Sequence, residues 1–433
     1  MNRHYLSLAL GLCLGTSPLL AQPTATAPTR TLLHCGNLFA GTGNDLQREM
    51  TIIVEGTKIA AIQRGYTTAT GQDRVIDLKS KTVLPGLIDM HVHLETETRR
   101  GGIVDRFTMN VPDVAFQAAK YAKTTLLAGF TTVRDLGGTG VNVALRNAVN
   151  RGLVDGPRIM TAGKSIATTG GHADPTNGYR KDLMGDPGPE EGVINSPDEA
   201  RKAVRQRYKD GSDLIKITAT GGVLSNAKDG SGPQFTEEEA RAIVEAAKDY
   251  GFAVAAHAHG AEGIKRAARA GVQTIEHGTY MDDEAIAICK KMGTYYVPTI
   301  IAGKTVADSA KMFGYYTALV TPKALAVGPK IQATFAKAYK AGVNIAFGTD
   351  AGVYIHGYNA KEFEYMVEAG MPPVEAIRSA LLTNAKLLGM DTQIGSIEPG
   401  KFADIIAVDE NPIQNIKTLQ TVRFVMKDGK QYK

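Results

Sequence analysis

A pair of histidines at the end of one largely apolar stretch is the strongest chemical signal in this sequence. The stretch Leu84–Leu94 carries His91 and His93 just before its end. Side chains two residues apart share a face of an extended strand, so both imidazoles are expected to point the same way. A lone buried histidine is usually a hydrogen-bonded structural residue, whereas a pair on one face is better explained by metal ligation.

Strand-like and helical segments alternate between residues 84 and 395. The strand candidates are Val83–His93, Thr131–Leu136, Arg158–Gly163, Leu214–Ala219, Ala253–His259, Thr274–Gly278, Tyr295–Ile300 and Asn344–Asp350. Helical segments lie between them, for example Thr236–Tyr250, where Thr236 is a candidate N-cap with Glu239 three residues later. Eight successive strand–helix units predict an α/β fold, the (β/α)8 TIM barrel.

A TIM barrel carries its chemistry at the carboxyl ends of its strands, and several of the strand candidates have polar residues there. The candidate metal ligands among them are His91, His93, Lys216, His257, His277 and Asp350. Imidazoles combined with a carboxylate suit Zn²⁺ better than they suit harder cations. The sequence therefore predicts a site for two divalent metal ions, with Zn²⁺ favoured.

Lys216 is the unusual member of this set. An ammonium group would be repelled by metal cations, and burial lowers the pKa of a lysine. A neutral amine can add carbon dioxide to form a carbamate, an anion with two oxygens that can bridge two metal ions. Taken alone, Lys216 is explained equally well by a salt bridge to a neighbouring acid. Within this set of residues, N6-carboxylated Lys216 is the favoured interpretation.

The two ends of the chain differ from the barrel in pattern, since short strand-like runs are separated there by Gly, Asn and Asp turns. Four such runs precede the barrel and two follow it, and they are expected to pair in one small β-sandwich. The predicted organisation is a signal peptide at 1–21, a β-sandwich formed by 22–83 and 395–433, and the barrel at 84–394.

Residues 1–21 have the character of a secretory signal, with Arg3 followed by a short apolar core at Tyr5–Leu14. The core is too short to span a bilayer, so a periplasmic or secreted protein without a membrane anchor is predicted. The chain has 433 residues, a net charge of +5, 43% hydrophobic and 21% charged residues, which is typical of a globular protein. It has no Lys/Arg run that would indicate nucleic-acid binding.

Several motifs together resemble the amidohydrolase superfamily. They are Pro85-Gly86-Leu87-Ile88-Asp89-Met90-His91-Val92-His93, Ile215-Lys216, His257, His277, Gly348-Thr349-Asp350 and Gly400-Lys401-Phe402-Ala403-Asp404. Thr169–His172 and Thr218–Val223 are similar to a narrower group, the binuclear-zinc Xaa-Pro dipeptidases and ochratoxin-hydrolysing amidohydrolases. The resemblance implies how the ligands divide: one metal ion on His91, His93 and Asp350, the other on His257 and His277, and carboxylated Lys216 between them.

The resemblance also implies a reaction. A metal-bridging hydroxide would attack an amide carbonyl, with Asp350 as general acid and base, and release a C-terminal amino acid. Small substrates of this kind are dipeptides such as Xaa-Pro, N-acyl amino acids and ochratoxin A. His172 would contact the substrate by analogy, and His259 is a second substrate-binding candidate. A homo-oligomer is also expected by analogy with the family.

Two alternatives are weighed against this interpretation. A cyclic-amide hydrolase or deaminase of the imidazolonepropionase type generally uses one metal ion and lacks the lysine of the fourth strand, so Lys216 argues against it. A non-catalytic binding protein on the same barrel is disfavoured by the complete ligand set. A substrate with a free carboxylate would need a nearby cation, and the sequence does not choose among Arg99, Arg100 and Lys304.

Overall fold

The computed structural model of the protein describes residues 30–433, so the predicted signal peptide at 1–21 lies outside the described residues. The described chain has two parts, a seven-stranded sheet and a barrel of parallel strands surrounded by helices. Within this part of the chain, no helix is long and apolar enough to cross a membrane.

The elements are numbered in chain order. The strands are β1 (Arg30–Leu38), β2 (Gln47–Glu55), β3 (Lys58–Arg64), β4 (Arg74–Pro85), β5 (Leu87–Val92), β6 (Phe130–Asp135), β7 (Arg158–Thr161), β8 (Ala167–Thr168), β9 (Val193–Ile194), β10 (Ile215–Thr218), β11 (Val254–Gly260), β12 (Thr274–Tyr280), β13 (Tyr295–Val297), β14 (Ile405–Val408), β15 (Phe424–Lys427) and β16 (Lys430–Gln431). The α-helices are α1 (Asp105–Thr108), α2 (Val111–Leu127), α3 (Val141–Asn150), α4 (Lys181–Met184), α5 (Pro197–Asp210), α6 (Glu237–Asp249), α7 (Ala261–Ala270), α8 (Asp283–Met292), α9 (Ile300–Ala310), α10 (Val320–Lys340), α11 (Lys361–Glu368), α12 (Pro373–Arg378) and α13 (Asn384–Leu387). Short 3₁₀ segments lie at Gly102–Val104 and Ile416–Gln420, and a π segment at Ser379–Thr383 joins α12 to α13.

Both ends of the described chain contribute to one β unit. Its strands run in the order β16-β15-β14-β4-β1-β2-β3, and β14 pairs antiparallel with β4, so the C-terminal strands extend the N-terminal ones. Residues of both ends, among them Leu33, Ile52, Ile405 and Phe424, share a core separate from that of the barrel. The predicted pairing of the chain ends is confirmed, and the strands form one continuous hydrogen-bonded sheet. The domain limits given above stay a prediction.

The barrel consists of two parallel ladders, β5-β6-β7 and β10-β11-β12-β13. On one side the ladders are joined where Asp213 N donates to Thr161 O at 2.8 Å. On the other side the extended segment 344–350 lies between β13 and β5. The helix α6 begins as predicted, because Thr236 Oγ1 accepts from Glu239 N and Glu239 Oε2 accepts from Thr236 N. The predicted TIM barrel with an additional β domain is confirmed.

Four predicted barrel strands are shorter in the structure, and two of them, the third and the fourth, lose only two residues each to become β7 and β10. The first, predicted as Val83–His93, is divided at Gly86 into β4 and β5. A Cβ on Gly86 would lie 2.1 Å from Thr131 Oγ1, so only a glycine fits at this position. Here the chain passes from the seven-stranded sheet into the barrel. The seventh, predicted as Tyr295–Ile300, ends at Val297, because Thr299 is left-handed with φ 48° and α9 begins at the next residue.

The prediction of a regular eighth strand at Asn344–Asp350 is wrong. The segment is extended and hydrogen-bonds to both neighbours, for example from Asp350 N to His91 O at 2.7 Å. Its ladder is irregular: Thr349 N is shared between His91 O at 3.4 Å and the side chain of Asp89, whose Oδ1 is 3.1 Å away. Asp350 itself is left-handed, with φ 60°. The segment closes the barrel without forming a continuous strand.

A nearly buried arginine joins the β unit to the barrel. Arg158, at the start of β7, donates to Asp404 Oδ2 at 2.7 Å and to Asp428 Oδ1 at 2.5 Å. The side chains of Arg158 and Asp404 are only 14% and 5% exposed. Removing one partner from such a pair leaves a desolvated charge without compensation.

We therefore expect Arg158→Met to lower the apparent free energy of unfolding by about 3 kcal/mol. The matched control is Arg423→Met, which breaks the exposed pair with Asp409 on the same β unit and should cost less than about 1 kcal/mol. Chemical denaturation followed by circular dichroism measures both variants. Equal stability of the two variants would contradict the proposed coupling of β unit and barrel.

Candidate active site

The two histidines after the apolar stretch lie together at the end of β5, with ring centroids 5.3 Å apart. His91 is fully buried, whereas the side chain of His93 is 26% exposed. His91 Nδ1 donates to Glu276 Oε2 at 2.9 Å, and His93 Nδ1 donates to Gly137 O at 2.8 Å. Because both Nδ1 atoms carry the proton, the Nε2 lone pair of each ring is free to bind a ligand.

Asp350 lies against both of these lone pairs. Its Oδ1 is 3.3 Å from His93 Nε2 and 3.5 Å from His91 Nε2. This oxygen is buried and has no hydrogen-bond partner among the described residues. Burial raises the pKa of Asp350, but its neighbours His91, His93 and Lys216 together lower it by more, so the net shift is downward and the carboxylate is ionised at neutral pH.

Lys216 is brought to the same group from β10. Its Nζ is 3.3 Å from His91 Nε2, and the residue is only 3% exposed. Burial lowers the pKa of Lys216 to about 8. A substantial fraction of the side chain is therefore a neutral amine in mildly alkaline solution, which is the form that can react with carbon dioxide.

His257 in β11 and His277 in β12 complete the group, with ring centroids 4.7 Å apart. His257 Nε2 donates to Gly221 O at 3.2 Å, so its Nδ1 is the free lone pair. His277 Nδ1 is paired with Thr299 Oγ1 at 2.7 Å, which leaves its Nε2 for the site. The ring of His277 is 5.0 Å from that of His91.

These donors fit a divalent metal ion. Ligand atoms of His91, His277 and Asp350 lie within 4.8 Å of one another. Burial lowers the pKa values of His91, His257 and His277 well below the usual histidine range, so these rings are neutral, as metal ligation requires. Asp350 Oδ1, a desolvated carboxylate oxygen beside the free lone pair of the neutral His91 ring, is a suitable ligand for a cation.

The two residues predicted to bind substrate lie beside this group. His172, in the loop after β8, stacks on His257 with centroids 4.3 Å apart, and its buried Nδ1 has no partner among the described residues. His259 is buried, is stacked on His277 at 5.0 Å, and its Nδ1 is 2.8 Å from Thr279 Oγ1. The structure thus brings all of the sequence-predicted site residues together. Their individual roles stay predictions.

Glu276 and Arg134 form a buried ion pair behind His91 that the sequence did not predict. Arg134 Nη2 donates to Glu276 Oε1 at 2.8 Å, while Glu276 Oε2 accepts from His91. Strand alternation would place Glu276 on the face opposite His277. The left-handed conformation of His277, with φ 71°, breaks the alternation and lets both side chains reach His91. No local sequence signal predicts that conformation.

A second unpredicted network holds the segment that carries Asp350. Thr349 Oγ1 and Asn359 Nδ2 donate to Asp89 Oδ2 at 2.6 and 2.8 Å. Asp89 also accepts from the backbone of His91. A charged residue inside an otherwise apolar strand was the available sequence signal for this network. The Asp89 carboxylate therefore links the end of β5 to the turn at Asp350.

Residues 82–432 match the family model described as the amidohydrolase family. The chain therefore belongs to the amidohydrolase family, which confirms the resemblance inferred from its motifs. Ochratoxinase from Aspergillus niger is 31% identical over 96% of this chain and 89% of that protein. A solved Xaa-Pro dipeptidase with methionine bound in its active site is 53% identical, with a TM-score of 0.91 over 94% of this chain and 100% of that one. A prolidase complexed with N-methylphosphonate-L-proline is 31% identical, with a TM-score of 0.84 over 94% of this chain and 100% of that one.

Close packing between Gly348 and the site gives a stability test. A Cβ on Gly348 would lie 2.4 Å from Val297 Cγ1 and 3.1 Å from His91 N, and both neighbours are fully buried. We expect Gly348→Ala to destabilise the fold by about 1–3 kcal/mol through overpacking. Gly43→Ala is the control, since nothing lies within 4 Å of a Cβ there. Thermal denaturation of Gly348→Ala at the wild-type midpoint would refute the packing argument.

Proposed function

We propose that this amidohydrolase cleaves the amide bond to a C-terminal amino acid, in a dipeptide such as Xaa-Pro or in an N-acyl amino acid. The observation that carries the proposal is Lys216, a buried lysine with a lowered pKa, 3.3 Å from His91 inside a group of imidazoles. The similarity to an Xaa-Pro dipeptidase and to an ochratoxinase supports this substrate class. Ochratoxin A, an amide of phenylalanine, is a further candidate substrate.

We further propose two divalent metal ions, with Zn²⁺ favoured. His91, His93 and Asp350 would hold one ion, and His257 and His277 would hold the other. N6-carboxylated Lys216 would bind both ions. The bound ions would supply Lewis-acid chemistry, activating a water molecule and polarising the scissile carbonyl. The donor types, the tautomers fixed by Glu276, Gly137 and Gly221, and the lowered histidine pKa values support this assignment.

Asp350 is the proposed proton carrier. Its Oδ1 faces His91 and His93, is buried, and belongs to a carboxylate whose pKa is lowered, so it is ionised and able to accept a proton. It would take the proton of the attacking water and then deliver it to the leaving amine. The hydrogen bonds of Thr349 and Asn359 to Asp89 fix the turn that positions this carboxylate.

His172 and His259 are the proposed substrate-binding residues. Burial lowers the pKa of His172 to about 3 and that of His259 to about 4. Both rings are therefore neutral at physiological pH and would act as hydrogen-bonding groups rather than as cations. The unpartnered Nδ1 of His172 is one such group available to a substrate.

The main alternative, cyclic-amide hydrolysis or deamination, accounts less well for the site. It gives no role to a lysine amine buried among histidine rings. Secretion, which rests on residues 1–21, and homo-oligomerisation, which rests on the family analogy, also stay proposals.

A mixed substrate panel tests the proposed function. It contains Xaa-Pro and Xaa-Phe dipeptides, N-acyl amino acids, ochratoxin A and cyclic amides, and products are identified by mass spectrometry with and without a chelator. We expect chelator-sensitive release of a C-terminal amino acid. Ring opening or ammonia release without any amino-acid product would contradict the proposal and favour the alternative.

Asp350→Asn should reduce kcat by at least about a hundredfold, because the amide cannot accept the proton of the attacking water. The circular dichroism spectrum should stay that of the wild type. Asp391→Asn, at an exposed turn, is the matched control and should retain activity. Wild-type turnover by Asp350→Asn would eliminate this residue as the proton carrier.

A further inference from the structure

We propose that Lys323, on α10, is a positioning residue that fixes the 221–232 loop and, through it, the ring of His172. The 221–232 loop denotes the residues between β10 and α6 that begin at Gly221 and end at Gly232. The proposal rests on the proposed function, because it assigns a consequence to the substrate contact of His172. Lys323 lies about a hundred residues beyond the loop in the sequence, and no motif identifies it.

The contact between Lys323 and the loop uses every proton of the ammonium group. Lys323 Nζ donates to three backbone oxygens of the loop, those of Gly222 at 3.1 Å, Ser225 at 2.7 Å and Ala227 at 2.7 Å. The stem of the side chain passes Gly230, where a Cβ would lie 2.9 Å from Lys323 Cδ. Hydrogen bonds from a charged donor are stronger than those between neutral groups. The ammonium group of Lys323 thus binds three backbone oxygens of the loop at once.

The 221–232 loop also has hydrogen bonds between its own residues. Asp229 accepts from the backbone of Ser231 and Gly232, both at 2.8 Å, and Gly221 N donates to Gly232 O at 3.0 Å. These bonds hold its two ends together and constrain its second half. The first half, which lies nearest the site, has an internal bond from Ser225 Oγ to Gly222 O at 2.8 Å and is held from outside by Lys323.

The first half of the loop forms the surface on which His172 rests. A Cβ on Gly222 would come within 2.1 Å of His172 Nδ1, so the imidazole occupies the space that the glycine leaves free. The preceding residue, Gly221, accepts the hydrogen bond from His257 Nε2. Lys323 bonds to Gly222 O directly, so it holds the residue that contacts His172 and the neighbour of the residue that contacts His257.

Lys323 also differs from the cations considered from the sequence alone. Arg99 is paired with Asp105 at 2.6 Å, and Lys304 lies over the ring of Tyr365, 4.2 Å from its centroid. Lys323 has no carboxylate partner within salt-bridge distance among the described residues, and its proton donors are directed at backbone oxygens. We infer that it organises the substrate pocket rather than contacting the substrate.

The test is Lys323→Met, which keeps the length of the stem and removes the three donors. Lys330→Met, at an exposed position on the same helix, is the matched control. Loss of the charged hydrogen bonds should raise KM for the substrate found in the panel at least about tenfold, with kcat changed by less than about threefold. Hydrogen–deuterium exchange of the 221–232 loop should become at least about tenfold faster.

A double-mutant comparison separates positioning from general destabilisation. In a His172→Ala background, Lys323→Met should raise KM by less than about twofold further, because the residue through which it acts is gone. Full additivity of the two KM effects, or loop exchange identical to that of Lys330→Met, would overturn the proposal. Gly222→Ala, which pushes His172 aside directly, should reproduce the KM effect even where Lys323→Met does not fold.

The two proposals fail separately. Absence of amino-acid release by the wild-type protein would refute the proposed function, while loop exchange in Lys323→Met would still report whether the lysine fixes the loop. Amino-acid release by the wild type, combined with unchanged KM and unchanged exchange in Lys323→Met, would refute the role of Lys323 alone.

Discussion

The desolvated carboxylate oxygen of Asp350, which lies against the Nε2 atoms of His91 and His93, is the interaction on which the rest of the site depends. An ionised oxygen without a hydrogen-bond donor is costly in a protein interior unless a cation compensates it. Burial lowers the pKa of His91 well below the usual histidine range, and its proton on Nδ1 is donated to Glu276, so the Nε2 of His91 supplies no proton to this oxygen. A divalent metal ion would compensate the charge of the carboxylate and bind the free lone pairs together. Carboxylation of Lys216 would add negative charge to this group, and the lowered pKa of the amine favours the neutral form that reacts with carbon dioxide.

The backbone of the barrel departs from regular strand geometry at the candidate active site. Five non-glycine residues in the described chain have positive φ, and three of them are His277, Thr299 and Asp350. Such conformations persist only where surrounding contacts hold them in place. The Asp89 network holds the turn at Asp350, and Thr299 bonds directly to His277. The irregular segment at the eighth strand position is thus part of how the site is built.

Much of the fold and the site could be predicted from the sequence because those features depend on local periodicity. Strand alternation places His91 beside His93, and the succession of strand and helix patterns predicts the barrel. The contact between Glu276 and His91 could not be predicted, because the left-handed conformation of His277 breaks the alternation of side chains along β12. The role of Lys323 could not be predicted either, because its hydrogen-bond partners are backbone oxygens, which every residue type has. The division of the chain at Gly86 depends on a close approach to Thr131 that only the three-dimensional packing reveals.

The central claim is that two metal ions and a carboxylated lysine complete the site. The most direct test is a crystal structure of the protein prepared with zinc and bicarbonate, with anomalous diffraction recorded at the zinc edge. Our account predicts two anomalous peaks, one bound by His91, His93 and Asp350 and the other by His257 and His277, with continuous density beyond Lys216 Nζ reaching both. A single peak with an unmodified Lys216, or no metal at these residues, would contradict it.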